Sequence, residues 1–296
     1  MTLSSLQEDV AGELEQQVQE RDGTQLDAKA DGHAMASPAQ QRDADAEVEL
    51  PRALGPYVVV LREREEGIAE TQIALDMANR SVSPPRVVCL LDFVVQINTP
   101  LVRLCLSKNP LGPEGARLLG SALVTNNTLQ VLELDACDLV GSAYRPQHEG
   151  ILALSKGIQS VRSRLRFVNV ARNDLQPQGC RILLGALSFH KTLTALDISD
   201  NMLSLFNDKQ GYLALCYLLE YSKQLCWLNI SDNPFPSAAA SVLKDSLSLN
   251  HSLTSLYARR CGTSREQWLS SIRGQAMSAA KKEANRPQGL LHALDC

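Results

Sequence analysis

The side chains that most often carry chemistry are few and scattered in this 296-residue sequence. The five histidines (His33, His148, His190, His251 and His292) form no HExxH pair for zinc, and the eight cysteines contain no Cys-x-x-Cys. There is no glycine-rich phosphate loop ending in lysine and no nucleophile elbow. His190 and His251 fall in corresponding turns, where a polar residue suits the chain and catalysis is not required. The expectation is therefore no enzyme, no metal and no cofactor. The chemistry left is that of contact: aromatic rings are scarce, at 4% of residues, yet Phe167 and Trp227 recur at one position of a repeating pattern, with Tyr257 close by and arginines beside them. Aromatic residues next to arginine are what protein-binding hot spots are made of.

The elements that would position these residues are legible as a repeat. Five segments share the template Leu-x-x-Leu-x-Leu-x-x-Asn/Cys: LVRLCLSKN from Leu101, LQVLELDAC from Leu129, LRFVNVARN from Leu165, LTALDISDN from Leu193 and LCWLNISDN from Leu225. A sixth, LTSLYARRC, begins at Leu253. Their starts are 28, 36, 28, 32 and 28 residues apart, so the period is 28 with insertions of eight and four. Between them, a small residue is followed by apolar residues four and eight further on: Gly115/Leu119/Leu123, Gly150/Leu154/Ile158, Gly179/Leu183/Leu187, Gly211/Leu215/Leu219 and Ala239/Leu243/Leu247. That spacing predicts an apolar stripe on a helix. Each unit is one short strand and one helix that bury their apolar faces only by stacking on neighbours, which is the signature of a solenoid. Val87/Leu91/Val95, preceded by Leu75, Met77 and Val82, fits a degraded unit in front of the array. Ser264/Trp268/Ile272, with polar flanks, fits a capping helix behind it.

This pattern resembles the ribonuclease-inhibitor-like leucine-rich repeats over residues 72–275. The resemblance implies an α/β leucine-rich-repeat solenoid, or horseshoe, with parallel strands on the concave face and helices on the convex face. It also implies a function of holding a protein partner. Because the Ran GTPase activator shares the repeat, GTPase activation is a second reading, and a cytoskeletal or axonemal structural subunit is a third. Against the second, the acidic segment here precedes the repeats, and Lys281, Lys282 and Arg286 follow them.

The expected organisation is an acidic disordered tail (1–50), an N-terminal cap with a degenerate repeat (51–100), the repeats (101–264) and a C-terminal capping helix and tail (265–296). Of 29 bases and 33 acids, three and twelve fall in residues 1–50, which are nine negative; the remainder, 26 bases against 21 acids, is five positive. The tail reads as a solubilising segment, or as one that folds back on the basic ends of the body and competes with the partner. The weak positive charge of the body argues against nucleic acid. No apolar run is long enough to span a bilayer, and the start resembles no secretory signal. A monomer in the cytoplasm, or in the nucleus or on the cytoskeleton, is expected, with the cysteines acting as small buried hydrophobes.

With the leucines pointing inward, the third, fifth and seventh template positions should line the concave face. The candidate partner-binding residues are Arg103, Glu133, Asp135, Phe167, Asn169, Arg172, Asp197, Trp227, Asn229, Tyr257 and Arg259. Phe167 and Trp227 should be exposed, unless neighbouring side chains or the tail cover them. Glu133, Asp135, Asp197, Asp200 and Asp232 should make the middle acidic, with Arg103, Lys108, Arg172, Arg259 and Arg260 mostly towards the ends. The insertions VGSAYRPQHE and SLFNDKQ should leave from one edge and are a further candidate contact. The recurrent Asn109, Asn173, Asn201 and Asn233, with Cys137 and Cys261 in the same place, should be buried and satisfy backbone groups where the chain turns.

Overall fold

The computed structural model describes residues 58–65, 68–84, 87, 90, 91, 101–206 and 208–262. The acidic segment 1–50, the capping helix and tail at 265–296, Val95, Cys89 and Cys296 lie outside the described residues.

Among the described residues eight strands form one sheet in chain order: β1 (Val58–Glu65), β2 (Ile68–Asp76), β3 (Leu101–Cys105), β4 (Val131–Glu133), β5 (Phe167–Asn169), β6 (Ala195–Asp197), β7 (Trp227–Asn229) and β8 (Ser255–Tyr257). From β2 to β8 every pairing is parallel. A parallel neighbour requires a crossover, and among the described residues five helices with set bounds provide one: α1 (Gly112–Leu123), α2 (Glu149–Ile158), α3 (Gln176–Leu187), α4 (Gln210–Tyr221) and α5 (Ser237–Leu249). Consecutive helices pack on one another, so this is the open α/β leucine-rich-repeat stack that the 28-residue period implies.

The periodicity explains the core. In β4 to β7 the strand burial alternates, with the middle residue buried between two half-buried ones. Leu132, Val168, Leu196 and Leu228 are fully buried, as are the helix residues Leu119, Leu154, Leu183, Leu215 and Leu243 that face them. Each such side chain contributes about 2–3 kcal/mol by leaving water. The small residue at each helix start reflects close approach: a Cβ on Gly150 would lie 2.3 Å from the Pro113 carbonyl oxygen.

The chain leaves each strand through a turn with left-handed residues. Lys108, Ala136, Arg172, Asp200, Asp232 and Arg260, all at the eighth template position, have φ between 52° and 60°. One residue further on, a buried side chain stitches the turn. The Asn173 amide oxygen accepts from the Cys137 and Leu139 N–H groups of the preceding repeat at 2.9 and 3.4 Å, while its amide nitrogen donates to the carbonyls of Leu134, Val170 and Ala171. Asn109, Asn201 and Asn233 do the same. At Cys137 and Cys261 the thiol donates to the carbonyls of Leu106 and Ile230.

Four details differ from the sequence reading. The segment in front of the repeats carries an antiparallel hairpin, β1 against β2 from Val58↔Leu75 to Glu65↔Ile68, which no leucine period announces. Leu75 lies in β2, whereas Met77 and Val82 follow it and are held by Asn109. Cys105, Cys137, Cys180, Cys216 and Cys261 are buried but Cys226 is exposed, so it is no core hydrophobe. Burial pushes the Cys137 and Cys216 thiols up to about 12. Finally, His190 corresponds structurally to Asn250 and not to His251. Its Nδ1 accepts from the N–H groups of Thr192 and Leu193 and its Nε2 lies 3.0 Å from the Ile158 carbonyl oxygen. Asn250 accepts from Ser252 and Leu253 and donates to Leu219 in the same pattern.

Burial holds the His190 pKa below its ordinary value of 6.5, against the opposing hydrogen bond to Ile158. Below pH 6.5 the unfolded chain therefore binds a proton that the folded chain refuses, and stability present above 6.5 is lost as pH falls. His190→Asn should leave the free energy of unfolding in urea at pH 7.5 within about 1 kcal/mol of the parent's, and reduce the loss of stability between about pH 6.5 and 5. An undiminished loss in the variant would show that His190 does not carry it.

Candidate protein-binding face

Residues on the open side of the sheet are set by the strand alternation, and from β4 to β8 the third and fifth template positions are partly open to solvent, whereas Cys105, the fifth position of the first repeat, is buried. Arg103 is exposed and Glu133, Phe167, Asn169, Asp197, Trp227, Asn229 and Tyr257 are half-buried. Phe167 and Trp227, expected to be exposed, are partly covered by each other. Their register places Ala195 between them, and over that small side chain the rings meet edge to face with centroids 6.2 Å apart. Trp227 also meets Tyr257 at 5.3 Å. The three rings form one ledge across β5 to β8, with a small residue as the gap that lets them touch.

At the fifth position the side chains work locally. Asn169, Asp197 and Asn229 accept hydrogen bonds from the N–H groups of Ala171, Ser199 and Ser231, closing the turn at the end of each strand. Asn229 also donates to Asp197 at 2.9 Å.

The seventh position departs from the expectation. Ser107, Asp135, Ala171 and Ser231 are buried, and Ser107 and Ser231 accept from the next repeat's backbone. The left-handed eighth residue carries its side chain outward instead. Arg172, Asp200, Asp232 and Arg260 therefore join Asp135, Asn169, Ala171, Asp197 and Ser199 around a hollow of about 440 Å³ at the ends of β4 to β7. Arg260, which is outside the expected site, is in its wall. Arg259, which was expected, is exposed and not among the lining residues. The alternation that sorts strand residues does not extend into the turn. The available signal was Asp at the eighth position of two successive repeats, Asp200 and Asp232, a residue type that enters left-handed backbone more readily than most.

The charges are less segregated than an acidic middle between basic ends. Arg103 pairs with Glu133 at 2.7 Å, Arg172 grips Asp135 through two nitrogens, and Arg260 does the same to Asp232. The hydrogen bond to Asp135 is the main cause that raises the Arg172 pKa, and Asp232 has that effect on Arg260. Among the described residues no cation is paired with Asp197 or Asp200.

Both insertions leave at the same point of the repeat, between the turn and the helix. Each carries an aromatic residue almost wholly in solvent, Tyr144 at 96% and Phe206 at 94% exposure. The loops are tied down nearby: Gln176 donates to the Ala143 carbonyl at 2.6 Å, and Leu205 bridges Asp208. A second aromatic group, unanticipated, lies on the helix side, where Phe189 packs against Tyr217 and Tyr221 at 5.9 and 5.6 Å. Among the described residues no helix is long and apolar enough to cross a membrane.

No protein-family model matches the chain. It is similar to the protein named NACHT, LRR and PYD domains-containing protein 12 of Mus musculus, at 27% identity over 205 residues, covering 61% of this chain and 19% of that protein. It is also similar to NACHT, LRR and PYD domains-containing protein 13 of Homo sapiens, at 30% identity over 155 residues, 52% of this chain and 14% of that one. The chain spans less than a fifth of the length of these relatives. It is a distant relative of proteins that carry leucine-rich repeats. A solved chain titled Leiomodin-1 Actin-Binding Site 2 (ABS2) aligns over 46% of this chain and 80% of its own at 14% identity and a TM-score of 0.36, a likeness too low to carry weight.

Because Tyr144 and Phe206 touch little, replacing both with serine should change the free energy of unfolding by less than about 1 kcal/mol in urea titration. A loss above about 2 kcal/mol would show that the rings are packed, not presented.

Proposed function

We propose that this chain is a non-enzymatic interaction scaffold that holds a protein partner against the open, concave face of its repeats. The observation that carries this reading is the Phe167–Trp227–Tyr257 ledge, three touching rings on the solvent side of a sheet in a protein with few aromatic residues. Half-buried rings already fixed by one another lose little freedom when a partner covers them, which favours binding. The likeness to proteins with leucine-rich repeats supports the same reading.

In this reading Arg103, Glu133 and the residues around the hollow form the polar rim. Asn169 and Asn229 shape the face and contribute less of the energy. No cofactor, nucleic acid or membrane takes part, and the working form is a cytoplasmic monomer.

Affinity capture from a cell extract with the full chain, followed by mass spectrometry, identifies the partner. Phe167→Ala combined with Trp227→Ala should weaken its capture by at least about tenfold while far-ultraviolet circular dichroism is unchanged. Retention of every captured protein by the folded double variant would contradict the proposal.

A further inference from the structure

The hollow at the ends of β4 to β7 has an unfinished charge balance. Four carboxylates (Asp135, Asp197, Asp200 and Asp232) and two guanidiniums (Arg172 and Arg260) line it, so it is two negative. The two arginines are already engaged, each bidentate on one carboxylate. Asp197 takes its hydrogen bonds from neutral donors, the Ser199 N–H and hydroxyl and the Asn229 amide, which orient it; Arg172 attracts both Asp197 and Asp200, and Arg260 attracts Asp200, but neither arginine forms a direct ion pair with them. Asp200 sits exposed on its left-handed turn.

The aromatic ledge adjoins this charge. In β6, Ala195 pairs with Phe167 and Trp227 on either side, and Asp197 lies two residues further along the same face of the strand, roughly 7 Å away. An occupant entering from the open face thus meets a ring edge first and a carboxylate pair beyond it.

We propose that the hollow binds an arginine side chain of the protein partner, its aliphatic stem on the Phe167–Trp227 ledge and its guanidinium between Asp197 and Asp200. The assignment rests on the reading of this face as the partner site and adds the chemistry of what is recognised. Arginine fits better than lysine because its planar fork serves two carboxylates at once and its stem and plane lie well on rings. The same hollow already holds two guanidiniums, each bidentate on a single carboxylate, Asp135 or Asp232. An anionic group would meet a net negative wall and would have to displace one of those pairs.

The test uses the full chain with Trp268→Phe, which leaves Trp227 as the single tryptophan reporter. The probe is the peptide acetyl-Gly-Leu-Arg-Gly-amide, with citrulline or lysine replacing arginine as controls. The arginine peptide should change Trp227 fluorescence saturably below about 10 mM, at least about tenfold more tightly than the uncharged citrulline peptide and more tightly than the lysine peptide. Raising salt from about 0.05 to 0.5 M should weaken it. Asp200→Asn, at an exposed position with no structural bond to lose, should weaken arginine binding severalfold. Asp197→Asn with Asp200→Asn should bring the arginine and citrulline peptides within about twofold of each other.

Equal binding of arginine and citrulline peptides to the parent, no saturable change, or an arginine preference that survives the double asparagine variant would each overturn the assignment. Failure of the scaffold reading looks different, because there the aromatic double variant retains every captured partner whatever the peptides do.

Discussion

A buried side chain at the ninth position of each repeat, an amide in four of the six, is the constraint on which the structure depends. A strand of three residues followed by a left-handed turn leaves backbone N–H and C=O groups pointing into a stack where water does not reach, and an unpaired group there costs about 1–3 kcal/mol. The side chains of Asn109, Asn173, Asn201 and Asn233 each accept from the backbone of the preceding repeat and donate to carbonyls of both repeats. They set the spacing of successive strands and allow the stack to continue. Cysteine substitutes at Cys137 and Cys261 by donating a thiol, but it offers the neighbouring repeat a poor acceptor. Beside Cys137 the Leu111 N–H turns instead to the Asn109 carbonyl at 2.8 Å.

The same turn creates the candidate site. Left-handed backbone at a residue other than glycine costs on the order of 1 kcal/mol, and it is paid here six times in register. The return is geometric: the eighth residue of each repeat swings out of the strand's alternation and lays its side chain over the ends of the neighbouring strands. That is how Arg172, Asp200, Asp232 and Arg260, from four repeats, converge on one hollow beside the aromatic ledge. Structural asparagines and candidate contact residues are thus adjacent in sequence and opposite in direction.

Much of the fold was legible because leucine spacing reports burial directly. Leu132, Leu196 and Leu228 had to face inward, and Leu119 and Leu123 had to share a helix stripe. The third and fifth positions followed from the same alternation. What escaped was whatever depends on the turn or on contacts between repeats. Asp135 sinks and Arg260 enters the wall because dihedral angles, not the period of two, direct them. Phe167 and Trp227 shield each other only because Ala195 between them is small. His190 was readable as a polar turn residue but not as an imidazole in an asparagine's role, since its partners, Ile158 and Leu193, come from different repeats. The β1–β2 hairpin carries no leucine period, so that ruler could not find it.

The stitch is most directly testable at Asn201, whose amide oxygen accepts from the Asn173 and Leu175 N–H groups and whose nitrogen donates to the Val170 and Ser199 carbonyls. Urea unfolding of Asn201→Ala, together with amide hydrogen exchange at Asn173 and Leu175, measures what that stitch contributes. A loss of about 4 kcal/mol or more, with protection falling at those two amides and a smaller loss in Asn201→Cys, is the predicted result. Stability within about 1 kcal/mol of the parent and unchanged protection would contradict the claim that the buried amide holds the stack together.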